Sequence, residues 1–280
     1  MHWEVQVVPS VLTEYWPAVA AILDGANPRH RSVCMRVSGL RPKDFDGRAA
    51  VRSLLASVKR HWPERPVTRT TNNWNLRREV PPFVTRSPEV ALERTIAARA
   101  SGAWFCQMST ASGIHGSASD KRRAIDLVHH PKDGHYRFIE LKIGSDNPLY
   151  ALFEALGYGL IYLMSRRSRC GFGYSDRDVM SAHAIEMTVL APHAFFDYRR
   201  TGDNAACTYD LNWLEEELSE GLQEVAGDDV SMVLNSVGFE PGSRLEDSAA
   251  SVIDLFERRA FHLPTRSIRE MPRPVGPDGP

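Results

Sequence analysis

The sequence predicts an α/β protein in which short strands alternate with capped helices, and three observations carry this. Two apolar stretches, residues 124–128 and 137–143, lie close together and read as strands bounded by turn residues. Two others, 87–100 and 147–166, open with a capping side chain followed by proline, the signature of a helix start. Further apolar runs at 103–109, 184–190 and 230–239 are separated by amphipathic stretches. With 280 residues the chain allows one large domain or a core with an appended lobe.

In chain order, Trp3 to Val8 alternates apolar and polar residues as a strand does. Ser10 caps a helix from Val11 to about Leu23, ended by Asp24-Gly25 and Asn27-Pro28. Ser32 to Ser38 reads as a second strand. Asp44 or Asp46 then caps a helix to about His61 with Val51, Leu54, Leu55 and Val58 as its apolar stripe. Residues 62–85 carry four prolines, which argue against regular structure. Ser87-Pro88-Glu89 starts a helix to about Ala100. A strand at 103–109 and a small-residue turn follow, then the two strands of the opening, joined by a hairpin loop from His129 to His135. Asn147-Pro148 starts the next helix, to about Arg166. After a strand at 184–190, Leu211, Leu214, Leu218 and Leu222 line one face of an acidic helix over 211–225. A strand at 230–239 and a helix at 244–259 complete the pattern.

This order divides the chain into an N-terminal α/β extension (1–86, including a basic loop at 62–85), a core (87–200), an acidic C-terminal α/β extension packed on it (201–263), and a disordered tail (264–280) rich in proline and glycine. The four cysteines are scattered, as free thiols in a reducing cytosol would be. No apolar run approaches the roughly 18 residues that span a bilayer, and Met1-His2-Trp3-Glu4 does not begin a signal peptide. A cytoplasmic protein without a membrane partner is the expectation.

Net charge is -1, but unevenly spread. Residues 59–99 hold nine Lys/Arg against four Asp/Glu, whereas 209–257 hold thirteen Asp/Glu and one arginine. A polyanion would approach the first segment and be repelled by the second. Within the basic loop, guanidiniums can pair with phosphates and indoles can stack on unpaired bases. Arg69, Trp74, Arg77 and Arg78, with Lys121 and Arg122 before the first acid-bearing strand, are the candidate nucleic-acid contacts. The same loop can instead wrap the core with its tryptophans inside, the commoner fate of indole.

Asp126 stands alone as an acid in Ala124-Ile125-Asp126-Leu127-Val128; Glu140 and Lys142 stand in Arg137-Phe138-Ile139-Glu140-Leu141-Lys142-Ile143. Side chains alternate along a strand, so Glu140 and Lys142 point one way while Ile139, Leu141 and Ile143 point into a core. Likewise Ile125 and Leu127 face opposite to Asp126. If the strands pair, both carboxylates reach one point above the same sheet face. Paired carboxylates favour a hard divalent cation, which accepts phosphate oxygens and activates water. Lys142 can orient that water, help deprotonate it, or offset charge building on phosphorus. The chain uses lysine only five times against 29 arginines, so a lysine kept on an inner strand suggests that the ammonium itself is wanted. A structural ion pair on a half-exposed sheet is the plainer alternative. Glu93 lies on the apolar stripe of its helix, which is costly without a cationic partner. Gln107, on the next strand, is a candidate supporting residue.

The succession of the Glu93 helix, the strand at Ala103, the Asp126 strand, the Glu140-Leu141-Lys142 strand, the helix from Pro148 and the strand at Ala184 resembles the PD-(D/E)XK nuclease superfamily, over residues 87–191. The resemblance implies a restriction-endonuclease-like core, α-β-β-β-α-β around a mixed central sheet, and a metal-dependent nuclease acting on DNA in preference to RNA. It implies Asp126, Glu140 and the Leu141 carbonyl as ligands of magnesium, or of manganese in its place. Lys142 would be the catalytic lysine and Glu93 the extra helix acid that some members use. Ile125 stands where the family often has proline. Glu154 and Tyr158, on one helix face, match the spacing of a Gln and a Tyr in helicase-associated branches, with Glu replacing Gln. A fold that keeps its shape but not its catalysis, leaving a nucleic-acid-binding or assembly module, is the alternative, as is an RNA-cleaving enzyme. A homodimer is left open. His129, His130 and His135 lack the partners of a zinc site, and Gly171-Phe172-Gly173 is too short for a phosphate loop, so no ATP site is expected.

Overall fold

The computed structural model describes residues 11–39, 41–62, 73–76, 85–100, 102–110, 124–199 and 206–259. The first strand expected, Trp3 to Val8, and the tail at 264–280 lie outside the described residues. The elements run α1 (Val11–Ile22), α2 (Arg31–Gly39), α3 (Gly47–Arg60), α4 (Pro88–Arg99), β1 (Trp104–Ser109), β2 (Ala124–Lys132), β3 (His135–Leu141), α5 (Pro148–Arg167), α6 (Arg169–Phe172), β4 (Ala184–Pro192), β5 (Asp197–Tyr198), β6 (Cys207–Thr208), α7 (Asn212–Ala226), β7 (Ser231–Phe239) and α8 (Leu245–Arg258).

The protein is α/β with a mixed five-stranded sheet of order β1-β2-β3-β4-β7. β1, β2 and β3 are antiparallel neighbours; β3, β4 and β7 run parallel. Parallel strands need long crossovers, which α5 and α7 supply. One sheet face packs on α1, α3, α5 and α7, and the other on α4 and α8. β4 is buried along its whole length, as expected of a strand covered on both faces. None of the described helices is long and apolar enough to cross a membrane.

Of the caps expected from sequence, Asp46, Ser87 and Asn147 make theirs, and Ser10 lies outside the described residues. Ala49 N–H donates to Asp46, Val90 N–H to Ser87 and Tyr150 N–H to Asn147. α5 is buried nearly all round, which marks it as the central helix against which the sheet packs. The strand expected over Ser32 to Ser38 is instead helix α2. Val33, Cys34 and Val37 put their apolar groups on one side at helical spacing, and with no strand alongside, tertiary packing overrides β-propensity. The loop expected from His129 to His135 is also shorter: β2 runs on to Lys132 and turns at Asp133-Gly134, with Gly134 at φ +70°. His129 and His130 are therefore strand residues. His129 is buried, stacked on Trp104 and bonded to Arg137.

Arg137 and Glu186 stand directly opposite each other on β3 and β4 and are both fully buried. Arg137 Nε donates to Glu186 Oε2 at 2.7 Å, and its two other nitrogens donate to the carbonyls of Phe256 and Arg259. Asn235 Nδ2 donates to Glu186 Oε1 at 2.6 Å and Arg259 pairs with the same oxygen at 3.1 Å. The carboxylate is thus held from three sides.

α3 and α7 cross closely, with Arg41 paired to Glu217, Arg48 to Glu220 and Glu224, and Arg52 to Glu224. Glu220 and Glu224 of α7 are therefore met by α3, and Glu217 by Arg41 in the segment before it. Gly47 and Gly221 form the contact. A Cβ at Gly221 would stand 2.6 Å from the Gly47 carbonyl oxygen and 2.7 Å from Val51 Cγ2. Gly221→Ala is expected to lose about 1–3 kcal/mol on urea denaturation, although alanine is the better helix former. An unchanged midpoint would show that the crossing yields freely.

Candidate active site

The site lies at the end of the sheet where β3 finishes. The β2–β3 ladder begins with Leu127 opposite Ile139, so one step beyond it Asp126 faces Glu140. There the backbone pairing gives way, and Asp126 Oδ2 accepts the Leu141 N–H at 2.8 Å. The alternation expected around Asp126 does not hold: Ile125 packs in the core against α5 while Leu127 packs in the core under α4 and α8. Gln107, on the neighbouring strand β1, has φ +54°. This left-handed residue re-aims both strands, as bulge-like distortions beside active sites do.

Glu93 is buried on α4 and accepts from Gln107 Nε2 at 3.0 Å. Glu140 and Lys142 are also buried. Lys142 Nζ donates to Glu140 Oε1 and to Glu154 Oε2, both at 2.8 Å, and lies 3.9 Å from Asp146 Oδ2. Glu154, on α5, thus joins the site. Tyr158, one turn on, is buried in the core beside it.

Burial and crowding set the charges. Burial first, then Asp126 and Glu154, push Glu140 well above the usual carboxylate range. Burial and then Asp126 push Glu93 up to about 8. Although part of Asp126 reaches the surface, burial of its carboxylate is the main effect that pushes it up to about 7. For Lys142 burial acts downward, but Glu140 and Glu154 outweigh it and raise its pKa. Glu140, Asp146 and Glu154 thus gather round one ammonium, and Glu93 adjoins them through Asp126.

Among the described residues, no three His, Cys, Asp or Glu side chains stand as a ready metal-binding group. Glu140 Oε2 is buried and has no hydrogen-bond partner. A buried carboxylate oxygen left open among like charges fits a hard divalent cation, which needs only one or two protein carboxylates and completes its shell with other oxygens. Asp126 and Glu140 fit such an ion.

Of the candidate nucleic-acid contacts, Arg69, Arg77, Arg78, Lys121 and Arg122 lie outside the described residues. Trp74 does not serve as a base-stacking surface: its indole is buried against Phe138 and Tyr162, a core position. Two neighbours of the site escaped sequence reasoning. Glu89 accepts from Ile143 N–H and Ser145 Oγ and so pins the chain after β3. Its signal was present, since it precedes Glu93 by one helical turn. Asp146 (φ +64°) brings a further carboxylate toward Lys142. Comparison of the chain with protein-family profiles, with curated proteins and with solved structures finds no match.

Proposed function

We propose that the protein is a metal-dependent nuclease with a restriction-endonuclease-like core, a member of the PD-(D/E)XK superfamily, hydrolysing phosphodiester bonds in DNA in preference to RNA. The observation that carries this is Glu140 Oε2, buried and unpartnered amid acids gathered round one lysine. An ion pair kept for structure alone would satisfy both carboxylate oxygens.

Asp126, Glu140 and the Leu141 carbonyl would hold magnesium or manganese. The ion, when bound, supplies charge neutralisation and a water acidic enough to attack phosphorus. The Leu141 N–H fixes the Asp126 carboxylate, and Gln107 fixes Glu93. Lys142, clamped between Glu140 and Glu154, stays an ammonium, so it orients water and offsets negative charge on the phosphoryl oxygens as the bond breaks.

The test is incubation of the purified protein with plasmid, linear and single-stranded DNA and RNA, with magnesium or manganese. No cleavage of any of them overturns the reading, and cleavage of RNA alone corrects the substrate. A thermal-melt experiment checks the ion separately. Either metal is expected to raise Tm. Asp126→Asn, which removes one repelling carboxylate, is expected to raise the metal-free Tm by about 2–5 °C and to abolish the metal increment. A metal increment that persists in Asp126→Asn counts against these ligands.

A second reading, a nuclease fold kept as a nucleic-acid-binding module, is favoured by Lys142 being already paired with both Glu140 and Glu154. Salt-sensitive DNA binding indifferent to metal would select it.

A further inference from the structure

Beside the site, past the carboxyl ends of β3 and β4, lies a cavity of about 420 Å³. Ligands of α/β sheets bind in this position, outside the strand ends. One wall is Ile143 and Gly144, the residues that follow Lys142, and Asp146, which lies 3.9 Å from Lys142 Nζ, so the cavity adjoins the candidate active site. The opposite side carries two arginines, Arg29 and Arg31.

Among the described residues both guanidiniums are held by tyrosine hydroxyls and form no direct carboxylate pair, although the charges of Asp146 and Glu154 act on Arg29. Arg29 Nη2 donates to Tyr150 Oη at 2.6 Å, and its guanidinium lies 4.6 Å from the centre of that ring. Trp16 stacks on the Tyr150 ring at 4.3 Å, which fixes the arrangement. Arg31 Nε donates to Tyr209 Oη at 3.2 Å. The segment bearing them is tied to the start of α5: Asn147 Nδ2 donates to the carbonyls of Pro28 and Arg29. The positive end of this 20-residue helix therefore also faces the cavity.

The two acids in the wall are engaged. Asp146 lies 3.9 Å from Lys142 Nζ, and Asp197 accepts from Thr208 Oγ1. Pro192 and Phe195 add an apolar side. Two cations at one end with an apolar wall beside them suit a group that is anionic at one end and flat at the other, and the volume is that of a small-ligand pocket.

We propose that this cavity holds the nucleotide adjoining the bond that is cut, with Arg29 and Arg31 gripping its phosphate and Phe195 and Pro192 facing its sugar and base. The assignment of the cut rests on the nuclease reading; the nucleotide site itself does not. It makes Arg29 and Arg31 binding residues that set the register of the strand against Lys142.

The test is titration of the metal-free protein with a deoxynucleoside monophosphate and, separately, with inorganic phosphate, alongside cleavage kinetics with metal. The monophosphate is expected to bind more tightly than inorganic phosphate. Arg31→Ala and Arg29→Gln are each expected to weaken it by at least about tenfold and to raise KM for cleavage more than they lower kcat. Arg31→Ala leaves the Tyr150–Trp16 stack untouched and so guards against a folding artefact. Failure of the monophosphate to bind, or equal binding by both arginine variants, overturns the site even if Lys142-dependent cleavage is found. Arginine-dependent binding in a protein that cuts nothing supports the site and removes the nuclease reading instead.

Discussion

Lys142→Met is expected to cut DNA at least about 10³-fold more slowly than wild type at saturating magnesium. Methionine keeps much of the apolar stem and removes the charge. What is lost is an ammonium set within 4 Å of Glu140, Asp146 and Glu154, beside the buried and unpartnered Glu140 Oε2. Lys142→Arg is expected to rescue little, because a planar guanidinium does not fit a buried point-charge position. Removal of the lysine also leaves Glu140 and Glu154 facing each other uncompensated, so the variants are compared with magnesium present and with their melting curves recorded. Cleavage by Lys142→Met within a few-fold of wild type, at equal folded fraction, would overturn the catalytic role.

The largest effect on stability is expected at Glu186. Glu186→Ala should cost about 3–5 kcal/mol in chemical denaturation, because it leaves Arg137 buried without its counter-charge and frees Arg259 and Asn235. Glu186→Gln keeps one acceptor oxygen for Arg137 and offers an NH2 that Asn235 Oδ1 can accept from once that amide rotates, so it should cost clearly less. Cleavage per folded molecule should be unchanged in both, since Arg137 and Glu186 face α8, on the sheet face opposite to α5. A loss below about 1 kcal/mol for Glu186→Ala would show that the network relaxes or fills with water.

Several elements were legible in the chain because their signals are local. Asp46, Ser87 and Asn147 announce α3, α4 and α5 through hydrogen bonds made within four residues. Leu214, Leu218 and Leu222 announce the buried face of α7 through spacing alone. The convergence of Asp126, Glu140 and Lys142 followed from two adjacent strands. What was hidden depends on partners distant in sequence. The Arg137–Glu186 pair is set by a parallel register across 49 positions, which no local pattern encodes. Trp74 looked like a stacking surface because its neighbours are arginines, yet Phe138 and Tyr162 claim its ring. Arg29 and Arg31 were passed over because the stretch after them was read as a strand, whereas α2 begins at Arg31. The turn of β1 at Gln107 had no signal either, since glutamine is not a residue that usually adopts a left-handed backbone.

The way Arg137 is satisfied also bears on how the chain reaches its fold. Its hydrogen-bond acceptors on Phe256 and Arg259 lie 119 and 122 positions later, and the arginines of α3 meet glutamates 172 positions on. A polypeptide emerging from the ribosome at about 5–20 residues per second therefore presents β3, with its arginine, well before the groups that neutralise and cover it exist. Contacts of such long range close slowly. Glu186 arrives with β4, 49 positions on, and supplies the counter-charge, but the remaining guanidinium nitrogens find their acceptors only when α8 is made, so the cover over this pair is completed late in the chain.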